Sequence, residues 1–69
     1  MTPEELGERL LAIRRQIPPL REQLKAALVA MDYTQALAFQ MEIDALERDA
    51  DLLERQVRRR IAGRNRRHE

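Results

Sequence analysis

The sequence predicts an all-α fold, an antiparallel helical hairpin of coiled-coil type. Three observations predict it. Ala, Leu, Glu, Arg and Gln dominate a chain of 69 residues that holds only two Gly, one Phe and one Tyr, the composition of helical rods. Two apolar series with alternating three- and four-residue spacing run through the chain, separated by a break at residues 31–34. Folded at that break, the two series face each other side chain for side chain.

The first helix is expected to start at Pro3. Thr2 can accept a hydrogen bond from a free backbone N–H, Pro3 has no N–H to leave unpaired, and Glu5 completes a capping-box pattern. From there Leu6, Leu10, Ile13, Ile17, Leu20, Leu24, Ala27 and Met31 form an unbroken heptad seam. Pro18-Pro19 falls inside it. Two missing amide donors and the clash of each ring with the preceding turn predict a kink or break, dividing the first arm into helices at about 3–16 and 19–31. Asp32, followed by Gln35, reads as the cap of the second arm. That arm continues the rhythm through Ala36, Phe39, Ile43, Leu46, Ala50, Leu53 and Val57, with Ile61 one place out of step because Arg60 takes the next seam position. Gly63 is the expected stop. The expected organisation is therefore a hairpin over residues 1–62, with arms at about 3–31 and 33–62 and the turn at 31–34, followed by a flexible basic tail at 63–69.

Pairing residues whose numbers sum to 66 or 67 sets Met31 on Ala36, Ala27 on Phe39, Leu24 on Ile43 and Leu20 on Leu46. Towards the other end, Ile17 meets Ala50, Ile13 meets Leu53, Leu10 meets Val57 and Leu6 meets Ile61. An arm of about 29 residues gives a rod on the order of 45 Å. Such a hairpin shields few positions on every side. A second apolar stripe lies off the seam, with Leu37, Met41, Ala45 and Leu52 on the second arm and Leu28 and Val29 near the turn. It predicts association, as a homodimer forming a four-helix bundle or with a protein partner, through Leu28, Val29, Tyr33, Leu37, Met41 and Leu52. The competing explanation is a wide apolar face covered by the kinked first helix.

The formal net charge of +1 conceals a polarity: residues 1–54 hold six Lys/Arg against eleven Asp/Glu, and residues 55–69 hold seven Arg against Glu69. Arg58, Arg59, Arg60, Arg64, Arg66 and Arg67 are the candidate polyanion-binding residues, since clustered positive charge suffices to attract phosphates. Dipole compensation at a helix C-terminus, and pairing of Arg55, Arg58 and Arg59 with Glu4, Glu5 and Glu8, would account for part of this cluster. No aromatic residue interleaves with it to stack on bases.

Without Ser or Cys, nucleophilic triads and thiolate metal sites are excluded, and the single His, His68, lies next to the C-terminus. Asp44, Glu47, Asp51 and Glu54 share a helix face but lack the Glu-x-x-His unit of di-metal bundles. They are expected to form a solvated face paired with Arg48 and Arg55. The expectation is a non-enzymatic chain with no cofactor, no metal and no small-molecule substrate. Thr2-Pro3-Glu4-Glu5 does not read as a secretory leader and no apolar run reaches membrane-spanning length, so a cytoplasmic protein without a membrane partner is expected.

The stretch from Leu20 to Leu46 resembles the UVR motif, the short helical hairpin of the excision-repair proteins UvrB and UvrC and of some bacterial protein-quality-control proteins. The resemblance rests on Asp32-Tyr33 at the turn, Ala36-Leu37 after it, and Ile43 and Leu46 three apart, and it departs from the family's Arg-Asp pair at Gln40-Met41. It implies a hairpin that holds one protein to another, with a connection to DNA repair or stress response if the partner is shared. Two other classes stand beside it. One is a nucleic-acid-associated hairpin dimer working through the arginine cluster. The other is a small inhibitor or antitoxin that binds a larger protein.

Overall fold

A computed structural model of the chain describes residues 2–66, with side chains described through residue 63. Two helices, α1 (Pro3–Val29) and α2 (Tyr33–Arg66), pack against each other along their length as a rod of 57 × 16 × 14 Å.

Local chemistry accounts for the ends of both helices. Thr2 lies in extended backbone and its Oγ1 accepts from the Glu5 N–H at 3.2 Å, while the Leu6 N–H donates to the Thr2 carbonyl at 3.0 Å. Glu4 and Glu5 place negative charge in the first turn, where the helix dipole favours it. At the far end, the Asp32 N–H donates to the Ala27 carbonyl at 2.9 Å and the Met31 N–H to the Leu28 carbonyl at 3.0 Å. These two bonds make a Schellman closure, with Met31 as its left-handed residue at φ 58°. Asp32 then opens α2: its Oδ1 accepts from the Gln35 N–H at 3.2 Å, the cap expected from the sequence. One residue therefore closes one helix with its amide and starts the next with its carboxylate.

A left-handed conformation costs an L-residue about 1–2 kcal/mol that glycine does not incur. Met31 is also 73% exposed, so its side chain contributes little packing in return. Met31→Gly is accordingly expected to raise the unfolding free energy by about 1 kcal/mol, read from urea titration of helical circular dichroism. A loss of stability would show that the Met31 side chain holds the turn.

The core is the predicted seam. Leu6, Ile17, Ala27, Ala36, Ile43 and Ala50 are buried, with Leu6 at 1% and Ile43 at 2% exposure. Leu10, Ile13, Leu20, Leu24, Phe39, Leu46, Leu53 and Val57 are half-buried. The register agrees with the predicted pairing, since Leu20 and Leu46 line one groove between the helices, Ile13 and Leu53 a second, and Ala27 and Phe39 a third.

Four expectations are corrected. First, α1 is helical without interruption through Pro18 and Pro19, so the division into helices at 3–16 and 19–31 does not occur. Both prolines are solvent-exposed, so their rings do not intrude on the seam. Ile17 and Leu20 hold the segment on the seam. Second, Met31 is not a seam residue facing Ala36; the left-handed turn takes it out of helical phase. Third, Ile61 is 52% exposed and does not close the seam over Leu6, as its one-place displacement in the heptad dictates. Fourth, α2 does not stop at Gly63, which has no positive φ, but runs to Arg66. The 34 residues of α2 make the rod longer than the 45 Å expected.

Candidate protein-interaction surface

Labelling the buried seam as heptad positions a and d makes the two open faces of the hairpin unlike. On one face the flanking e positions carry opposite charges. Arg14 pairs with Glu54, and Arg21 with Glu47 at 3.4 Å. Both pairs bridge the two helices in one register, and three of the four partners are about half exposed or more, with Glu54 at 33%, so they select the alignment more than they stabilise it. This corrects the expected pairing of the acidic face with Arg48 and Arg55: Arg48 Nε donates to the Asp44 carbonyl at 3.4 Å, and Gln40 Nε2 donates to Asp44 Oδ1 at 2.9 Å. Among the described residues, no group of three or more His, Asp or Glu side chains is placed to hold a metal ion.

The opposite face has no such bridges among the described residues. Its g positions hold Gln16, Gln23, Gln35 and Gln56 with Arg9, Glu42 and Asp49 between them, and beyond them lie small side chains, including Pro19, Ala26 and Ala45. Three shallow grooves follow one another along it, and their floors are the half-buried Ile13, Leu20, Phe39, Leu46 and Leu53. In α2 the division is complete from Ala36 to Leu53, where a-position residues are buried and d-position residues are only half-buried. The hairpin thus leaves one flank of its own seam open to water.

The six contact residues expected from the sequence are all exposed, between 50% and 78%. They do not form one patch. Leu28 and Val29 in the last turn of α1 and Tyr33 and Leu37 at the start of α2 gather at the hairpin tip, joined by Met31, and Met41 follows one turn further along. Leu52 is about 17 Å beyond Met41 by helical rise and lines the groove floored by Ile13 and Leu53. The alternation of apolar residues alone does not predict the open groove face, since it makes the two seam positions equivalent. The sequence did carry a signal for it: Arg14, Arg21, Glu47 and Glu54 fall at matching e positions, whereas Gln16, Gln23, Gln35 and Gln56 occupy g.

At the other end of the rod Arg55, Arg58, Arg59 and Arg60 are exposed. The expected ion pairs of Arg55, Arg58 and Arg59 with Glu4, Glu5 and Glu8 do not form, since the bridges between described residues are those of Arg14 and Arg21. The backbone of Arg64 and Arg66 lies in the last turn of α2, and Arg67 and His68 fall outside the described residues. No helix among the described residues is long and apolar enough to cross a membrane. Comparison with protein-family profiles, with curated proteins and with solved structures finds no match to this chain.

Proposed function

We propose that this chain is a non-enzymatic protein-interaction module of the UVR-like hairpin kind, which holds a protein partner or a second copy of itself through apolar surface that its own fold leaves uncovered. The observation that carries the reading is the exposure, among the described residues, of nine large hydrophobic side chains by half or more, five of them within ten residues of sequence at the tip. Soluble chains do not commonly leave contiguous apolar surface to water unless something covers it in use. The UVR resemblance supports the same reading, because Asp32 caps α2 and Ile43 and Leu46 lie on the seam. A role in DNA repair or stress response follows if the partner is of that kind, and pairing of two hairpins would complete a four-helix bundle.

The test is affinity capture with the intact chain as bait, alongside Leu37→Glu at the tip and Arg15→Glu on the outward side. A carboxylate forced into an apolar contact is expected to weaken a tip-bound partner by about 100-fold, while Arg15→Glu leaves binding unchanged. Equal retention of partners by all three baits would count against the tip.

One observation favours a second reading, binding of nucleic acid at the basic end: Arg55, Arg58 and Arg59 are exposed and not neutralised by Glu4, Glu5 and Glu8. Binding of that kind falls steeply between low and physiological salt, whereas apolar docking does not.

A further inference from the structure

We infer that the grooved face is the contact between two copies of this chain, with the two rods lying antiparallel, the tip of each hairpin beside the chain ends of the other. This rests on the interaction reading above and assigns one of its surfaces an occupant.

Area is the first argument. The chain exposes 5829 Å², whereas a compact monomer of its mass exposes about 4,500 Å² by the usual scaling. The surplus is comparable to or larger than the ~800 Å² that each partner contributes to a standard stable interface. The grooved face offers apolar surface of the right shape, a ridge-and-groove strip without interhelical ion pairs to break.

Charge then selects the orientation. The half of the rod near the tip, residues 17–49, holds three Lys/Arg against six Asp/Glu. The half near the chain ends, residues 2–16 and 50–66, holds nine Arg against five Asp/Glu. Parallel rods would set the basic halves against each other; antiparallel rods set basic against acidic, and like charges juxtaposed across an interface are unfavourable.

The side chains flanking the grooves repeat the same preference. Arg9 borders the groove of Ile13 and Leu53, and Glu42 borders the groove of Leu20 and Leu46, about 23 Å away along the rod by helical rise. Neither is in an ion pair between described residues. A two-fold axis that runs across the rod in the contact plane, near Gln16 and Asp49, lays each helix antiparallel on its own copy, so Arg9 of each copy comes beside the partner's Gln23, at the level of the partner's Glu42. The same axis lays the Ile13–Leu53 layer on the partner's Leu20–Leu46 layer and Gln56 beside the partner's Glu42. One operation therefore sets basic levels against acidic ones and stacks the apolar layers.

The chain has no cysteine, so single cysteines report the geometry directly. Sedimentation equilibrium of the intact chain is expected to show a dimer at micromolar concentration. Ala45→Glu, on the exposed rim of the groove, should raise the dissociation constant about 100-fold or more while helical circular dichroism is retained. Under mild oxidation Gln16→Cys, near the axis, should give the disulfide-linked dimer, and Gln35→Cys, at the tip, should not. Arg9→Glu, which sets an anion at the level of the partner's Glu42, should weaken the dimer about threefold, and adding Glu42→Arg should offset that loss. A chain that stays monomeric at 100 µM, on the order of a hundredfold above the expected range, would overturn the proposal and leave the Leu37-dependent capture of another protein standing. A dimer linked efficiently through Gln35→Cys but not Gln16→Cys, or one that Arg9→Glu strengthens, would overturn the antiparallel arrangement.

Discussion

Replacing Ile43 by Ala is expected to lower the unfolding free energy by about 2–5 kcal/mol, the range for removing most of a buried branched side chain and leaving a cavity. Ile43 is 2% exposed and sits at the middle of the seam, between Ala36 and Ala50 on its own helix. Small neighbours at the adjacent a positions have no side chain long enough to fill the space left behind. A chain of this length has a total stability of about 3–10 kcal/mol at ordinary values per residue, so the variant should lose much of its cooperative thermal transition. Met41→Ala, at a position 62% exposed, serves as the comparison and should shift stability by less than about 0.5 kcal/mol. Equal effects at the two positions would mean that the buried seam is not what holds the helices together.

The opposite sign is expected for the paired substitution Pro18→Ala and Pro19→Ala. Proline inside a helix costs about 3 kcal/mol relative to alanine, through the lost amide donor and the clash with the preceding turn. Here α1 absorbs two in succession. Both are exposed, so their replacement removes little packing, although the freer unfolded chain offsets part of the gain. A net stabilisation of about 3 kcal/mol or more should appear as a higher urea midpoint, with the helical circular dichroism of the native state unchanged or increased. Destabilisation would show that the prolines hold a shape that α2 requires.

These two predictions mark what the residues alone reveal and what they do not. The turn was legible because its signals are local and chemical: an Asp three residues before a free amide, and a heptad that stops on one side and resumes on the other. The seam was legible because two periodic series had to agree on one register, and Ile17, Ala27, Ile43 and Ala50 are buried where that register places them. The prolines misled because a local penalty of a few kcal/mol was weighed without the packing on either side of it. Ile17 and Leu20 keep the segment on α2, and both prolines lie on the segment's exposed side.

Gly63 misled for a related reason. A glycine ends a helix when the chain needs a left-handed residue to reverse, and no reversal follows here, so α2 continues to Arg66. At the one place where the left-handed conformation is needed, the residue is Met31, which propensity would not have chosen. The surface was legible only in part. Exposure of Leu28, Val29, Tyr33, Leu37, Met41 and Leu52 follows from their distance from the seam. Their division between the tip and the grooved face depends on how far each lies around and along α2. The half-buried state of Leu20, Leu46 and Leu53 depends on how the two helices are rotated about their axes, which the alternation of apolar residues does not determine.

The central claim is that the chain reverses at Asp32 and that the two halves pack seam to seam. Methyl–methyl nuclear Overhauser contacts between Leu24 and Ile43 test it most directly, measured in the wild-type chain and again in Ala45→Glu so that the contact is assigned within one chain. A cross-peak in both samples, corresponding to a separation within about 5 Å of ordinary side-chain packing, is the result expected. Its absence from a folded, helical sample, with only contacts between residues three and four apart along one continuous helix, would contradict the hairpin and every proposal built on it.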